Sequence, residues 1–179
     1  WGSHVEDYQP TFAKVLIRYN PEGDAELNAR QRVKLKTVSD YCHEHGYKFL
    51  IEPLIPATAE QLARVAGDQA RYDRKIRPGL MVKMVDELQS ARVEPDIWKI
   101  EGIDQPEDGA RVVATARREK LGFQPDRPVG IGICGGRLRI AGAGDEVGDR
   151  VSGQRAGIAG DAQDDLGLLL GRRLLTRGC

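Results

Sequence analysis

The sequence predicts an α/β fold in which strands and helices alternate around a largely parallel sheet. Three observations predict it: β-prone apolar runs near residues 12–19, 47–55 and 97–101, helical periodicity between them, and connections long enough for parallel crossovers. The order β-α-β-α-α-β-α fits two architectures, a slice of a (β/α) barrel or a doubly wound sheet. In both, chemistry gathers at the carboxyl ends of the strands.

The run from Phe12 to Tyr19 is rich in β-formers and ends in the turn Asn20-Pro21-Glu22-Gly23. Asp24 then caps a helix expected to reach His45, with Leu27, Leu35, Val38 and Cys42 at helical spacing and Gly46 as its stop. A second strand from Tyr47 to Ile55 is apolar enough for burial on both faces, with Pro53 and Pro56 marking its exit. Thr58-Ala59-Glu60-Gln61 is a capping box that opens a helix expected to run to Arg71. A further helix begins near Pro78 and turns Met81, Val82, Val85 and Leu88 inward. Asp104-Gln105-Pro106-Glu107 has the look of another box, opening a helix with Val112, Val113 and Ala116 as its apolar side and ending near Gly122.

Between these helices lies the short strand Ile97-Trp98-Lys99-Ile100-Glu101, bounded by Pro95 and Gly102. Lys99 is a cation in a segment otherwise suited to a core. Two readings are open: its head reaches solvent, or its amine is enclosed, meets a carboxylate and serves as a nucleophile. Strand alternation puts Ile97, Lys99 and Glu101 on one face and Trp98 and Ile100 on the other. By the same rule Lys14, Leu16 and Arg18 share a face. Lys14, Glu52 and Lys99 are the charged residues set into the three strands. In one enclosed space Glu52 would orient and deprotonate, and Lys14 would favour the neutral form of Lys99 by repulsion. The alternative for Glu52 is an ion pair that merely neutralises charge.

Composition bounds the remaining possibilities. The 179 residues allow a single core, and 40% hydrophobic with 30% charged residues is ordinary for a globular protein. A formal net charge of zero gives no footprint for nucleic acid or an acidic membrane. No apolar run is long enough to span a bilayer, and the start Trp1-Gly2-Ser3-His4 does not open a signal peptide. Three cysteines, Cys42, Cys134 and Cys179, form no metal-type pairing and fit reduced thiols in the cytoplasm. His43-Glu44-His45 lacks the spacing of a helical zinc site, so neither a metal nor another cofactor is expected. Arg71, Arg74, Lys75 and Arg77 make a basic patch that fits either a phosphate or a wet helix face.

Composition shifts near Gly122, which divides the chain into 1–122 and 123–179. Every lysine lies at or before Lys120, no aromatic residue follows Phe123, and most glycines fall in the second part. This tail does not read as βα units. A run from Val129 to Gly135 suits a short strand, and Leu166 to Leu175 is an apolar cluster expected as a short helix weakened by Gly167 and Gly171. Gly130, Gly132 and Gly135 match G-x-G-x-x-G, but without the preceding strand and following helix that a dinucleotide site needs. The Arg, Gly and Ala bias resembles GC-rich coding sequence read in another frame, so the tail is expected to depart from the first part's native continuation.

Three stretches also carry a family resemblance: Lys14 to Asp24, Phe49 to Leu54, and Asp96 to Glu101. In order and spacing they resemble the tagatose-1,6-bisphosphate aldolase superfamily of (β/α) barrels, across residues 5–119. They are closer to an aldolase-like bacterial domain fused behind a 5-dehydro-2-deoxygluconokinase-type sugar kinase. The resemblance implies a partial TIM barrel, about strands 4 to 6 or 7 of eight, with three leading βα units before it. It implies that Lys99 matches the Schiff-base lysine, Glu52 the acid/base and Lys14 the second lysine. Arg18, on the face of Lys14, is the candidate substrate-binding residue. The implied activity is class I aldol cleavage of a phosphorylated ketose in carbohydrate or inositol catabolism, with a non-catalytic or oligomerising fragment of a kinase fusion as the alternative. The implied partners are a small phosphorylated sugar and, through open barrel edges, further copies of the chain.

Overall fold

The computed structural model describes residues 1–118, 130–134 and 167–171. Helix α1 (Gly2–Tyr8) precedes strand β1 (Phe12–Arg18), followed by α2 (Ala25–Glu44) and β2 (Lys48–Leu54). Three helices then lead to β3 (Ile97–Glu101): α3 (Ala59–Ala63), α4 (Gln69–Lys75) and α5 (Arg77–Ser90). Helix α6 (Pro106–Ala116), β4 (Gly130–Cys134) and β5 (Gly167–Gly171) complete the described elements.

The sheet runs β4-β3-β2-β1-β5. Strands β1 to β4 are mutually parallel and lie side by side in chain order, whereas β5 pairs antiparallel to β1. The fold is therefore mixed α/β with a four-strand parallel sheet interleaved with helices, as the alternating pattern predicts.

Strand alternation sorts the sheet into two unlike faces. Ala13, Val15 and Ile17 of β1, Phe49 and Ile51 of β2, and Trp98 and Ile100 of β3 are buried, none more than 1% exposed. They form one core with Leu35, Val38 and Cys42 of α2, Tyr72 of α4, Met81, Met84, Val85 and Leu88 of α5, and Val112 and Ala116 of α6. Among the described residues, the helices that join this core pack against that one face. The other carries Lys14, Leu16, Leu50, Glu52, Lys99 and Glu101, mostly half-buried.

Several local expectations need correction. Asp24 does cap α2, accepting from the Glu26 and Leu27 amides, and Gly46 at φ 74° does end it. But the helix opened at Thr58 stops at Ala63. Ala66 and Gly67 take left-handed φ of 55° and 76°, and Asp68 caps the separate helix α4. Thr58 forms the full capping box with Gln61, whereas α6 starts at Pro106 with no side-chain cap, its preceding residue being Gln105.

In the tail, the short strand expected between Val129 and Gly135 forms as β4, which extends the parallel sheet on the free edge of β3, pairing Ile97 with Gly130 through Glu101 with Cys134. A Cβ at Gly130 would meet Ile97 Cγ1 at 3.3 Å, so glycine suits this close approach. Residues 167–171 form a strand rather than a helix, since glycines at both ends disfavour the helix while the β1 edge offers unpaired backbone groups. Gly130 and Gly132 lie inside β4 rather than in a strand-to-helix turn, which is not the setting of a dinucleotide loop. The boundary near Gly122, Gly135, Cys179 and the remainder of 123–179 lie outside the described residues.

Candidate active site

Register brings Lys14, Glu52 and Lys99 together. Leu16 pairs with Glu52 in β1 and β2, and Leu50 with Ile97 in β2 and β3, so Lys14, Glu52 and Lys99 point to the same face of adjacent strands. Lys99 Nζ lies 2.9 Å from Glu52 Oε1, and Lys14 Nζ contacts Glu52 Oε2. One carboxylate thus takes a lysine on each oxygen. The Glu52 side chain is 10% exposed, those of Lys14 and Lys99 23% and 25%. At that depth a carboxylate needs cationic partners, while both amines remain within reach of a small molecule.

Arg18 lies on the same face at the end of β1, exposed and with no ion pair among the described residues. Four residues along a strand separate it from Lys14 by about 13 Å, so it stands at the rim and not with the triad. The basic patch does not survive as one surface. Arg77 turns inward and is 15% exposed, bonding Glu101 Oε1 at 3.1 Å, Asp73 Oδ1 at 3.2 Å and the Gly102 carbonyl at 3.0 Å. Arg71 pairs with Asp68 at 3.4 Å, while Arg74 and Lys75 remain exposed.

Three polar groups around the site escape sequence reasoning. Asn20 and Gln61 form a buried amide pair, Asn20 Nδ2 donating to Gln61 Oε1 at 2.7 Å and to the Pro56 carbonyl at 2.8 Å. This ties the loop after β1 to the loop after β2. Asp96, 5% exposed, accepts from the Phe49 amide at 2.7 Å and pairs with Lys48 at 3.3 Å, locking the amino ends of β2 and β3. Glu101 accepts from the Ile55 amide at 2.8 Å. Glu101 had a cue in its shared parity with Lys99, while Asn20 and Gln61 were legible only as a turn residue and a capping-box residue, not as a pair.

On the helix side a groove of about 510 Å³ separates α2 from α5, lined by Pro21, Asn28, Arg32, Asp86, Glu87 and Ser90. Beneath it the fully buried Tyr19 hydroxyl donates to Glu87 at 2.7 Å and accepts from Arg32 at 2.6 Å. Burial, reinforced by the Glu87 bond, pushes its pKa to about 12. Burial does the same for Tyr72, also to about 12, whose hydroxyl donates to the Ile55 carbonyl at 2.9 Å. Among the described residues no cluster of three or more His, Cys, Asp or Glu side chains could hold a metal, and no helix is long and apolar enough to cross a membrane.

Compared with models of known protein families, the chain matches none, and no curated protein gives a significant match.

Proposed function

We propose that residues 1–118 with β4 are part of an aldolase-type (β/α) barrel whose Lys99 forms a Schiff base with a phosphorylated ketose. The observation that carries this reading is the Glu52 carboxylate held between Lys99 and Lys14 on three adjacent parallel strands. Two features of the sheet support the barrel. Its parallel strands follow chain order without the reversal that defines a doubly wound sheet, and helices cover one face while the other carries the charged residues.

The chemistry runs through the pair. Proton transfer from Lys99 to Glu52 leaves a neutral amine, which adds to the ketone carbon. Glu52 returns that proton to the carbinolamine hydroxyl, water leaves, and a protonated imine forms. The carbon–carbon bond then breaks with its electron pair moving into the imine, giving an enamine. Glu52, a carboxylate again, takes the proton from the hydroxyl whose carbon becomes the aldehyde. Enamine protonation and hydrolysis release the second product and regenerate the amine. Lys14 holds the other oxygen of Glu52 and opposes positive charge on Lys99. Arg18 at the rim is placed to meet a phosphate.

One observation favours a second reading, a non-catalytic or oligomerising fragment of a sugar-kinase fusion. The outer edge of β1 carries antiparallel β5, where a barrel would place another parallel strand. Aldehyde release from a phosphorylated ketose such as tagatose 1,6-bisphosphate separates the two. The aldolase reading expects release that Lys99→Met abolishes; release that persists in Lys99→Met, or none in the full chain, rejects it.

A further inference from the structure

The seam between β2 and β3, across which Glu52 and Lys99 meet, is the least zipped in the parallel sheet. β1 and β2 pair over seven positions and β3 and β4 over five, but β2 and β3 pair only at Leu50 with Ile97 and Ile51 with Trp98. The backbone explains why. In a parallel ladder alternate residues of a strand face one neighbour. Phe49 exchanges bonds with Asp96 on the β3 side, so Phe49, Ile51 and Pro53 of β2, with Ile55 just beyond it, are the positions that face that way. Pro53 has no amide hydrogen to donate. The Phe49 amide goes to the Asp96 side chain and the Ile55 amide to the Glu101 side chain, rather than to β3 carbonyls. Carboxylates therefore close both ends of the seam, and the ladder is interrupted level with Glu52 and Lys99.

The closure at the carboxyl end is itself anchored. Glu101 offers Oε2 to the Ile55 amide at 2.8 Å while its Oε1 accepts from Arg77 at 3.1 Å. Arg77, at the first turn of α5, is fixed in turn by Asp73 and the Gly102 carbonyl. We infer that the Arg77–Glu101 pair is a positioning device: it holds the Ile55 amide just past the gap that Pro53 leaves in the ladder and thereby sets the separation of Glu52 from Lys99. The inference rests on reading Lys99 and Glu52 as the working pair, but its test does not require turnover.

The test is competitive acetylation of the full chain with trace acetic anhydride across a pH series, reading each lysine by mass spectrometry. The exposed Lys34 and Lys83 serve as internal standards. Glu101→Ala, which removes the acceptor for the Ile55 amide, is expected to change Lys99 reactivity about threefold or more relative to the standards, a shift of roughly half a pKa unit. Glu101→Gln keeps an acceptor for that amide and is expected to stay within about twofold of the parent. Arg77→Gln, which leaves the carboxylate but frees it, is expected to follow Glu101→Ala and serves in its place should that variant not fold. Lys99 unchanged in folded Glu101→Ala and Arg77→Gln would overturn the inference. So would a Glu101→Gln effect as large as that of Glu101→Ala, which would mark a charge effect rather than positioning. Dependence of Lys99 on this pair without ketose cleavage would remove the aldolase reading and leave the positioning role standing.

Discussion

Glu52 Oε1 sits 2.9 Å from Lys99 Nζ while its second oxygen is held by Lys14, so the carboxylate contacts a lysine from the strand on either side. Glu52→Gln removes the carboxylate that both lysines contact and leaves two half-buried cations close together. A loss of about 1–3 kcal/mol is expected, below the range for fully buried pairs because both lysines retain some solvent. Urea denaturation at neutral pH measures it. Adding Lys14→Met to Glu52→Gln should recover part of the loss, and no recovery would mean the lysines do not repel.

The Asn20–Gln61 pair is expected to matter for stability through its position between two loops. Asn20 donates to Pro56 and Gln61, and its Oδ1 accepts from the Glu22 amide at 2.9 Å. Asn20→Ala would strand buried polar partners at a cost of about 2–3 kcal/mol. Thermal denaturation should place it well below Thr37→Ala, since the exposed Thr37 hydroxyl bonds the Val33 carbonyl of its own helix at 3.2 Å.

Alkaline stability follows from the two buried tyrosines. Their pKa values lie near 12 in the fold against an ordinary value of 10, so the folded state favours the neutral phenols. Below pH 10 both folded and unfolded forms are neutral and this contribution is fully present. From pH 10 to 12 the unfolded chain loses protons that the native state keeps, and stability falls as pH rises. Urea midpoints between pH 9 and 12 should decline in that window, less steeply in Tyr72→Phe. A flat profile would contradict the assignment.

Gly46 isolates a backbone effect. Its φ of 74° is left-handed, and a Cβ there would meet nothing within 4 Å. Gly46→Ala should therefore cost about 1 kcal/mol from conformation alone, read as a lower denaturation midpoint with unchanged secondary structure.

Much of this was legible in the sequence where one pattern dominated. The alternation in Ile97-Trp98-Lys99-Ile100-Glu101 separated Trp98 and Ile100 from Lys99, and the structure makes the Trp98 face the core. Lys14, Glu52 and Lys99 were recognisable as candidates because charge is unusual within β-prone runs. What stayed hidden depended on contacts between distant segments. Asn28, Gln31 and Ser39 are buried on α2, which their polarity does not announce, and Arg77, read as part of a phosphate-binding patch or a wet helix face, is taken inward by Glu101. The strand at 167–171 was obscured because its pairing partner, β1, lies far back in the chain, where no local pattern announces it.

The reactivity of Lys99 is the claim on which the functional account stands. Borohydride reduction of the chain with tagatose 1,6-bisphosphate, followed by peptide mass mapping, tests it directly. The account expects a stable adduct on the peptide bearing Lys99, absent without sugar and absent in Lys99→Met. No adduct, or equal labelling of the exposed Lys34 and Lys83, would contradict it.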